Sequence, residues 1–245
     1  VAAAMERGIK VGHTPGVLND DVADLALGLM LSVARRLPQA DKFVRNSDWV
    51  EGPFPLSTKL TGARLGLLGM GRIGQAIAKR ALAFDMSIAY HTRHRVESVP
   101  YAYFASAKEL AANVDYLVVI TPGGAGTKHL VNAEVLAALG KKGYLINVAR
   151  GSVVDQAALI EALQKKTIAG AGLDVFADEP RVPSELRLAN HTVLTPHIGS
   201  ATQQTRQAMA DLCLANLAAH FEGKPIPALV RSEEHTSELQ SHHDL

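Results

Sequence analysis

The feature that most constrains this chain is the glycine pattern at residues 69–74, which reads Gly-Met-Gly-Arg-Ile-Gly. It follows an apolar run at residues 63–69 that predicts a buried strand, and it opens a helical pattern at residues 73–84. A G-x-G-x-x-G sequence placed between a strand and a helix is typical of dinucleotide-binding folds. A glycine turn with a purely structural role is the alternative.

Each glycine of this pattern has a distinct expected role. Gly69 would permit a tight turn, Gly71 would let the backbone approach a pyrophosphate, and Gly74 would let helix and strand pack closely. The phosphates would lie at the N-terminus of the helix, where free N–H groups and the helix dipole favour negative charge. Arg72 and the N–H of Ile73 are the natural phosphate contacts there.

Apolar runs and helical patterns alternate along the rest of the chain. Strands are predicted at residues 63–69, 87–90, 116–120, 144–148, 168–175 and 191–195. Helices are predicted at residues 73–84, 107–112, 132–139 and 155–165, the last with Asp155 as its N-cap. This alternation predicts an α/β fold of the Rossmann type, a doubly wound parallel sheet with helices on both faces.

Two further apolar helices are predicted outside this unit, at residues 20–37 and 201–221. Such helices can connect two domains, pack against a partner subunit, or belong to the core. The pattern alone leaves these three possibilities open.

Composition narrows the class of protein. With 47% hydrophobic residues and a net charge of +1, the chain can bury an ordinary core and carries no field that favours nucleic acid or a membrane surface. Cys213 is the only cysteine, which excludes an internal disulfide and favours a reducing compartment, so we expect a cytoplasmic protein. Cys213 lies in a helical apolar stretch, which predicts a small core residue. We expect no metal site.

The residues after the second predicted strand bear on coenzyme choice. NAD sites usually place an Asp or Glu about 20 residues beyond the glycine pattern, where it binds the ribose 2′-hydroxyl. Here the stretch reads His91-Thr92-Arg93-His94-Arg95 and contains no acid. Because a guanidinium binds a phosphate bidentately, we expect a preference for NADPH, with Thr92, Arg93 and Arg95 around the 2′-phosphate. Solvated loop charges are the alternative.

Three polar stretches follow later strands, and they carry Arg150, Glu179 and His197. Loops at the carboxyl ends of parallel strands converge on one crevice, so these side chains can meet there. Arg150 suits a substrate carboxylate, and His197 suits proton donation to a carbonyl oxygen. Glu179 would orient the imidazole ring and keep it protonated. A lone histidine after a strand more often has a structural role. The order Arg150, Glu179 and His197 after successive strands, behind a glycine pattern, indicates an active site far more specifically than any one of these residues does.

The same stretches resemble the D-isomer-specific 2-hydroxyacid dehydrogenase family, with particular similarity to its glyoxylate/hydroxypyruvate reductases. The resemblance runs from about residue 1 to about residue 230 and includes HTPGVLNDDVADLALGLML, LGLLGMGRIGQAIAKRALAFDM, YLINVARGSVVDQAALIEAL, IAGAGLDVFADEPRVP and VLTPHIGSAT. It implies the same roles for Arg150, Glu179 and His197. The implied coenzyme contacts are Arg72, Ile73, Thr92, Arg93, Thr121, Pro122, Val148, Ala149, Asp174 and Gly199.

The resemblance also implies a domain organisation. Residues 1–13 would be the remnant of a flavodoxin-like substrate domain, residues 14–199 the NAD(P)-binding domain, and residues 200–230 a C-terminal helix that returns to the substrate domain. Residues 231–245 are polar, unlike the rest, and are interpreted as a foreign tail rather than a natural disordered one. A homodimer is implied, with the helix at 20–37 resembling the element involved.

Together these observations predict an NADPH-preferring reductase that converts small 2-oxo acids of the glyoxylate/hydroxypyruvate type to D-2-hydroxy acids. NAD is the alternative coenzyme, and phenylpyruvate-type acids or 2-ketogluconate are alternative substrates. A nucleotide-sensing corepressor is the alternative from a different class. The expected partner is a small 2-oxo acid, with neither nucleic acid nor membrane.

Overall fold

A computed structural model of the chain describes residues 1–230, so the predicted foreign tail at 231–245 lies outside the described residues. At its centre is a seven-stranded parallel sheet in the order β3-β2-β1-β4-β5-β6-β7. The strands are β1 (Arg64–Leu68), β2 (Ser87–His91), β3 (Ala102–Tyr103), β4 (Tyr116–Val119), β5 (Tyr144–Asn147), β6 (Gly170–Leu173) and β7 (Thr192–Leu194). The order reverses between β1 and β4, as in doubly wound dinucleotide-binding sheets. The predicted fold class is confirmed.

The helices of the described chain are α1 (Ala2–Glu6), α2 (Asn19–Arg35), α3 (Leu37–Arg45), α4 (Arg72–Leu82), α5 (Ala107–Ala112), α6 (Ala133–Leu139), α7 (Gln156–Gln164), α8 (Ser184–Arg187) and α9 (Gln203–Phe221). Among them, α2 and α4 pack on one face of this sheet and α5, α6 and α7 on the other. Asp155 is the predicted N-cap of α7, and its carboxylate accepts a hydrogen bond from the N–H of Ala158 at 3.1 Å. The helix predicted at 20–37 ends at Arg35, because Arg36 adopts a left-handed conformation with φ +54° and starts α3 in a new direction.

The core has two layers, one on each face of the sheet. Alternate residues of a strand point to opposite faces. In β4, Leu117 and Val119 therefore pack with α5, α6 and α7, whereas Val118 packs with α2 and α4 on the other face. These side chains are completely buried, and each contributes roughly 1.5–3 kcal/mol of stabilisation.

Helix α2 belongs to this core. Its buried residues are Val22, Ala23, Ala26, Leu27, Leu29, Met30, Val33 and Ala34, and they lie against α4 and strands β5, β6 and β7. On the solvent side, Arg80 of α4 binds the carboxylates of Asp20 and Asp24. Of the three possibilities for this helix, packing in the core is the one observed.

The first and last described segments pair with each other. Gly12 and Leu229 form an antiparallel bridge, and the N–H of Val230 donates to the carbonyl oxygen of Val11 at 2.8 Å. The amide of Asn216 in α9 binds the carbonyl of His13 at 3.1 Å. This pairing holds α9 beside residues 11–13. The assignment of residues 1–13 and 200–230 to a second domain stays a prediction.

Helix α9 corrects the expectation for Cys213. Within residues 1–230 this helix buries only Thr205, Asn216 and Ala219, and Cys213 is exposed. Leu214 on the same helix is 63% exposed and Phe221 is 82% exposed. The described part of the chain offers these apolar side chains no surface to pack on, so Cys213 is not a core residue here. No helix within residues 1–230 combines the length and apolar character needed to cross a membrane.

Candidate active site

A cleft of about 740 Å³ opens at the carboxyl ends of the strands. Its floor is the point where the sheet order reverses, between β1 and β4. Loops after β1, β2, β4, β5, β6 and β7 all contribute to its wall. Ligands of open α/β sheets bind at this position, and the volume lies within the usual range for ligand pockets.

The glycine loop lies at this floor, and its three glycines differ in what surrounds them. Gly69 has φ +116°, and a Cβ there would lie 2.9 Å from the carbonyl oxygen of Ile120. A Cβ at Gly74 would lie 2.4 Å from the carbonyl oxygen of Gly69, so helix α4 packs against the turn without room for a side chain. A Cβ at Gly71 would meet nothing within 4 Å, which leaves open space in front of the helix. Turn, open approach and close packing thus fall on Gly69, Gly71 and Gly74 in that order.

Helix α4 presents its N-terminus to the cleft. Gly71 is its N-cap and provides no side chain to bind the first N–H groups. Both Arg72 and Ile73 line the cleft. Because the first N–H groups of a helix lack partners within the helix, this end can receive an anion.

The loop after β2 forms the wall beside the glycine loop. Thr92 and Arg93 line the cleft, and Arg93 is exposed to solvent. Arg95 does not line it, and its Nε lies 3.5 Å from Oε1 of Glu97 instead. The predicted basic surface is therefore formed by Arg93, whereas Arg95 stands apart from it.

Arg150 follows β5, and its loop is fixed from several sides. The buried amide of Asn147 accepts from the N–H of Ala149 at 3.0 Å and donates to the carbonyl oxygen of Arg150 at 3.1 Å. The guanidinium donates to the carbonyl of Ala149 at 2.7 Å. A Cβ at Gly123 would lie 3.0 Å from Cγ of Arg150, so this glycine makes room for the arginine side chain.

Gly151 sets the distance between the loops after β5 and β6. A Cβ at this position would lie 1.9 Å from the carbonyl oxygen of Phe176. Only a residue without a side chain can therefore stand there. This close approach brings the loop that carries Arg150 against the loop that leads to Glu179.

Asp174 holds the loop that carries His197. Its buried carboxylate accepts hydrogen bonds from the hydroxyl of Thr195 at 2.6 Å, the N–H of Ile198 at 2.8 Å and the N–H of Gly199 at 2.8 Å. Its carbonyl oxygen accepts from the N–H of His197 at 2.9 Å. His197 itself has φ +53°, a left-handed conformation that is uncommon for a residue with a side chain. These bonds hold the histidine backbone in that conformation.

Glu179 and His197 form a hydrogen-bonded pair. Oε2 of Glu179 lies 2.7 Å from Nδ1 of His197, and Oε1 accepts from the N–H of Phe176 at 2.9 Å. A carboxylate accepts, so Nδ1 carries the proton and the ring presents Nε2 as its other polar atom. His197 lines the cleft that Arg150 also lines. An oriented imidazole and a guanidinium therefore share one crevice.

Residues 27–199 match the model of the D-isomer specific 2-hydroxyacid dehydrogenase NAD-binding domain. The chain belongs to this family. Hydroxyphenylpyruvate reductase from Plectranthus scutellarioides is 51% identical over 90% of this chain and 71% of its own length. Glyoxylate/hydroxypyruvate reductase A from Arabidopsis thaliana is 50% identical over the same shares. The crystal structure of the NADPH-dependent glyoxylate/hydroxypyruvate reductase from Sinorhizobium meliloti, in complex with NADP and malonate, superposes with a TM-score of 0.90 at 52% identity, covering 94% of this chain and 72% of that one.

Membership of the 2-hydroxyacid dehydrogenase family confirms the predicted enzyme class, an NAD(P)-dependent oxidoreductase. The predicted site residues that line the cleft are Gly69, Gly71, Arg72, Ile73, Gly74, Thr92, Arg93, Thr121, Pro122, Val148, Ala149, Arg150, Asp174, His197 and Gly199. Glu179 joins them through His197, and Arg95 does not. Among the described residues no cluster of His, Cys, Asp or Glu is arranged to hold a metal ion.

His91, Gly123 and Thr195 are among the contributors to this site that sequence reasoning missed. His91 lines the cleft and pairs with Leu68 of β1 as the last residue of β2. The predicted strand ended one residue earlier, at Tyr90. The steric need for Gly123 has no signal in the sequence, because Arg150 meets it only in the folded chain. Thr195 belongs to the polar stretch that carries His197, but its hydrogen bond to Asp174 depends on the path of the loop.

Proposed function

We propose that this protein is a reductase of small 2-oxo acids of the glyoxylate/hydroxypyruvate type, that it prefers NADPH, and that it produces D-2-hydroxy acids. The observation that carries the proposal is the Glu179–His197 pair at 2.7 Å in the cleft that also receives Arg150 and the glycine loop. Two relatives named glyoxylate/hydroxypyruvate reductase, at 50% and 52% identity, support the substrate class.

The residues of the cleft fit a dinucleotide. Open space in front of Gly71 and the uncapped N-terminus of α4 suit a pyrophosphate, with Arg72 and the N–H of Ile73 as its contacts. The remaining coenzyme would lie against Thr121, Pro122, Val148, Ala149, Asp174 and Gly199, which line the same cleft. When bound, the reduced nicotinamide supplies the hydride.

The preference for NADPH is assigned to Thr92 and Arg93. Both line the cleft after β2, and no carboxylate stands in this stretch of cleft wall to repel a 2′-phosphate. A guanidinium matches a phosphate in charge and in fork geometry. The relative from Sinorhizobium meliloti is NADPH-dependent, which supports the same choice here.

Arg150 and His197 divide the work on the substrate. Arg150 would bind the carboxylate of the 2-oxo acid and place its carbonyl in the crevice. His197 would donate the proton from Nε2 to the carbonyl oxygen as negative charge develops there. Glu179, bound to Nδ1, fixes the ring and stabilises its cationic form. In the oxidative direction the same nitrogen would accept the proton.

A second substrate class has support of its own. The relative from Plectranthus scutellarioides is a hydroxyphenylpyruvate reductase and is 51% identical. Aryl-substituted 2-oxo acids are therefore the second candidate. They share the reacting carboxylate and carbonyl, so the roles of Arg150 and His197 would be unchanged.

The homodimer and the cytoplasmic location are proposals as well. Trp49, Val50 and Leu56 follow α3 and are 66%, 89% and 99% exposed, and we propose that a second subunit covers these apolar side chains. Sedimentation equilibrium tests the dimer. Cell fractionation tests the location, which the single cysteine supports.

A steady-state assay tests the proposed reaction. The purified protein should reduce glyoxylate and hydroxypyruvate, with a higher kcat/KM for NADPH than for NADH. His197→Ala should lower kcat by far more than tenfold, the factor that corresponds to about 1.4 kcal/mol of barrier. Equal or better use of NADH would overturn the coenzyme assignment. A loss of less than tenfold in His197→Ala would remove His197 as the principal proton donor, and faster reduction of hydroxyphenylpyruvate would favour the second candidate.

A further inference from the structure

Arg206 is a cation of the cleft wall that takes no part in the proposed reaction. It lies near the start of α9, where its N–H donates to the carbonyl oxygen of Thr202 at 3.0 Å. Arg206 and Met209, which are one turn apart on this helix, both line the cleft. Because the backbone of a helix lies inside its own side chains, these residues reach the cleft through their side chains.

The start of α9 is fixed to the beginning of α2. The hydroxyl of Thr202 donates to the carboxylate of Asp21 at 2.5 Å and accepts from the N–H of Thr205 at 3.1 Å. The hydroxyl of Thr205 donates to the carbonyl oxygen of Val17 at 3.4 Å. These bonds set the position of Arg206 on the cleft wall before any ligand enters.

The order of the strands places Arg206 in the substrate half of the cleft. Arg93 follows β2, near one edge of the sheet, whereas α9 follows β7, the strand at the opposite edge. Arg150 follows β5, and His197 follows β7 directly. Loops at the carboxyl ends of neighbouring strands share one part of the crevice. Arg206 is therefore on the side of Arg150 and His197, away from the proposed site of the 2′-phosphate.

Arg206 has no acidic partner on this wall. Among the described residues that line the cleft, Asp174 has the only carboxylate, and it already accepts three hydrogen bonds from the loop that carries His197. Glu179 is bound to His197 itself. Within residues 1–230, the guanidinium of Arg206 makes no hydrogen bond or ion pair. The anion that matches it in charge and fork geometry would be a carboxylate of the ligand, and the first substrate carboxylate is assigned to Arg150.

We propose that the same cleft reduces short 2-oxo dicarboxylic acids, and that Arg206 is the specificity residue that binds their second carboxylate. The inference rests on the proposed function, since Arg150 keeps the first carboxylate and His197 remains the proton donor. Carbon 2 takes up the hydride of NADPH, the π electrons of the carbonyl pass to its oxygen, and that oxygen takes the proton from Nε2 of His197. The products are the D-2-hydroxy dicarboxylate and NADP⁺, and His197 regains its proton from water.

Three substrates isolate the effect of the second carboxylate. Oxaloacetate and pyruvate differ by that group alone, and glyoxylate lacks the carbon that would carry it. For the wild type, we expect kcat/KM for oxaloacetate to be at least about tenfold above that for pyruvate, because hydrogen bonds between ionised groups are strong. Arg206→Met keeps an unbranched side chain of similar helix propensity but has no donor. It should lower kcat/KM for oxaloacetate by about tenfold or more and change that for glyoxylate by less than about twofold.

Two further variants are matched controls. Lysine retains the charge without the planar fork, so Arg206→Lys should recover part of the kcat/KM for oxaloacetate. Gln207 is the next residue on α9, is not part of the described cleft wall, and donates from Nε2 to Asp211 at 2.7 Å. Gln207→Met should therefore match the wild type with all three substrates.

Product binding gives a readout that needs no turnover. D-Malate and D-lactate, the products from oxaloacetate and pyruvate, differ by the same carboxylate. Calorimetric titration of the wild type with NADP⁺ present should give a dissociation constant for D-malate about tenfold below that for D-lactate. Arg206→Met should remove this difference, and Gln207→Met should keep it.

The outcomes separate this inference from the proposed function. If the wild type reduced glyoxylate but used pyruvate as well as oxaloacetate, or if Arg206→Met lowered kcat/KM equally with all three substrates, the role of Arg206 would be overturned and the proposed function would stand. A loss in Arg206→Met with hydroxypyruvate and not with oxaloacetate would assign Arg206 to a hydroxyl group and overturn the inference as well. If the wild type reduced no 2-oxo acid, the proposed function would fail, and the titration with D-malate would still decide the role of Arg206.

Discussion

Glu179 connects His197 to the backbone of the loop that carries Glu179: one carboxylate oxygen lies 2.7 Å from Nδ1 of His197, and the other accepts from the N–H of Phe176 at 2.9 Å. The carbonyl oxygen of Phe176 in turn lies only 1.9 Å from the position that a Cβ on Gly151 would occupy. The three strand-end loops that carry Arg150, Glu179 and His197 are therefore fixed relative to one another before any ligand enters. Preorganised polar groups of this kind spend little free energy on rearrangement during the reaction.

Glu179→Gln separates the orientation of His197 from its charge. The amide oxygen can still accept from Nδ1, but the negative charge that stabilises a protonated ring is lost. We expect kcat to fall by about 10- to 100-fold, or roughly 1.4–2.7 kcal/mol, with the dissociation constant for NADPH unchanged. Steady-state kinetics and coenzyme titration measure both quantities. A decrease of less than threefold would show that the carboxylate charge plays no part in proton donation.

Arg150→Lys tests recognition of the substrate carboxylate. Lysine keeps the positive charge but loses the planar fork, and its ammonium cannot make two parallel bonds to a carboxylate. The KM for glyoxylate should rise by about 10- to 100-fold, which corresponds to roughly 1.4–2.7 kcal/mol of binding free energy. Arg93→Lys is the matched control, because it should raise the KM for NADPH and leave the KM for glyoxylate near its original value. The reverse pattern would exchange the two assignments.

The glycine loop permits a paired test of stability and binding. Alanine at position 74 would gain about 1 kcal/mol of helix propensity, but its Cβ would lie 2.4 Å from a backbone oxygen. The clash outweighs this gain, and we expect Gly74→Ala to lower the free energy of unfolding by about 2–3 kcal/mol. Thermal melting of the purified variant measures the loss.

Alanine at position 71 has the opposite expected profile. Its Cβ would meet no protein atom, so stability should change by less than about 1 kcal/mol. The added methyl group would enter the space proposed for the pyrophosphate and weaken NADPH binding by at least about tenfold, or 1.4 kcal/mol. Wild-type affinity in Gly71→Ala would show that the pyrophosphate lies elsewhere.

The parts of the site that depend on local patterns could be predicted from the sequence. The glycine loop has a fixed spacing between a strand and a helix, and its turn and close packing are found at Gly69 and Gly74 as expected. Arg150, Glu179 and His197 each follow a strand, and parallel strands deliver such residues to one edge. These predictions needed only the element type and the order of residues along the chain.

Features that depend on long-range contacts could not be predicted in this way. Strand β3 has two residues and no periodicity to detect, and it exists because Ala102 and Tyr103 pair with β2. Cys213 carried the signal of a core residue, but burial depends on what packs against α9 within the described chain. The orientation of His91 arises from the carbonyl of Phe104, a contact that the spacing of these residues does not encode.

The hydroxyl of Thr195 is not one of the reacting groups, and we expect it to act on His197 through the loop that carries both residues. It donates to Asp174 at 2.6 Å, on the same carboxylate oxygen that accepts from the N–H of Ile198 next to His197. Valine has nearly the same shape but no donor, so Thr195→Val would leave that oxygen with one partner fewer, at a cost of about 1–2 kcal/mol. Because the loop is then held less firmly, we expect His197 to leave its left-handed conformation more often.

We therefore expect Thr195→Val to fold, to melt at a lower temperature and to lose about threefold to tenfold in kcat, or roughly 0.7–1.4 kcal/mol of barrier. Thr195→Ser restores the donor and should recover most of the kcat, even though the smaller side chain leaves a methyl-sized gap. Rescue of kcat by serine would assign the effect to the hydroxyl rather than to packing. If valine matched the wild type in kcat while serine did not, the loop would be held by the shape of the threonine side chain, and the hydrogen bond to Asp174 would have no role in placing His197.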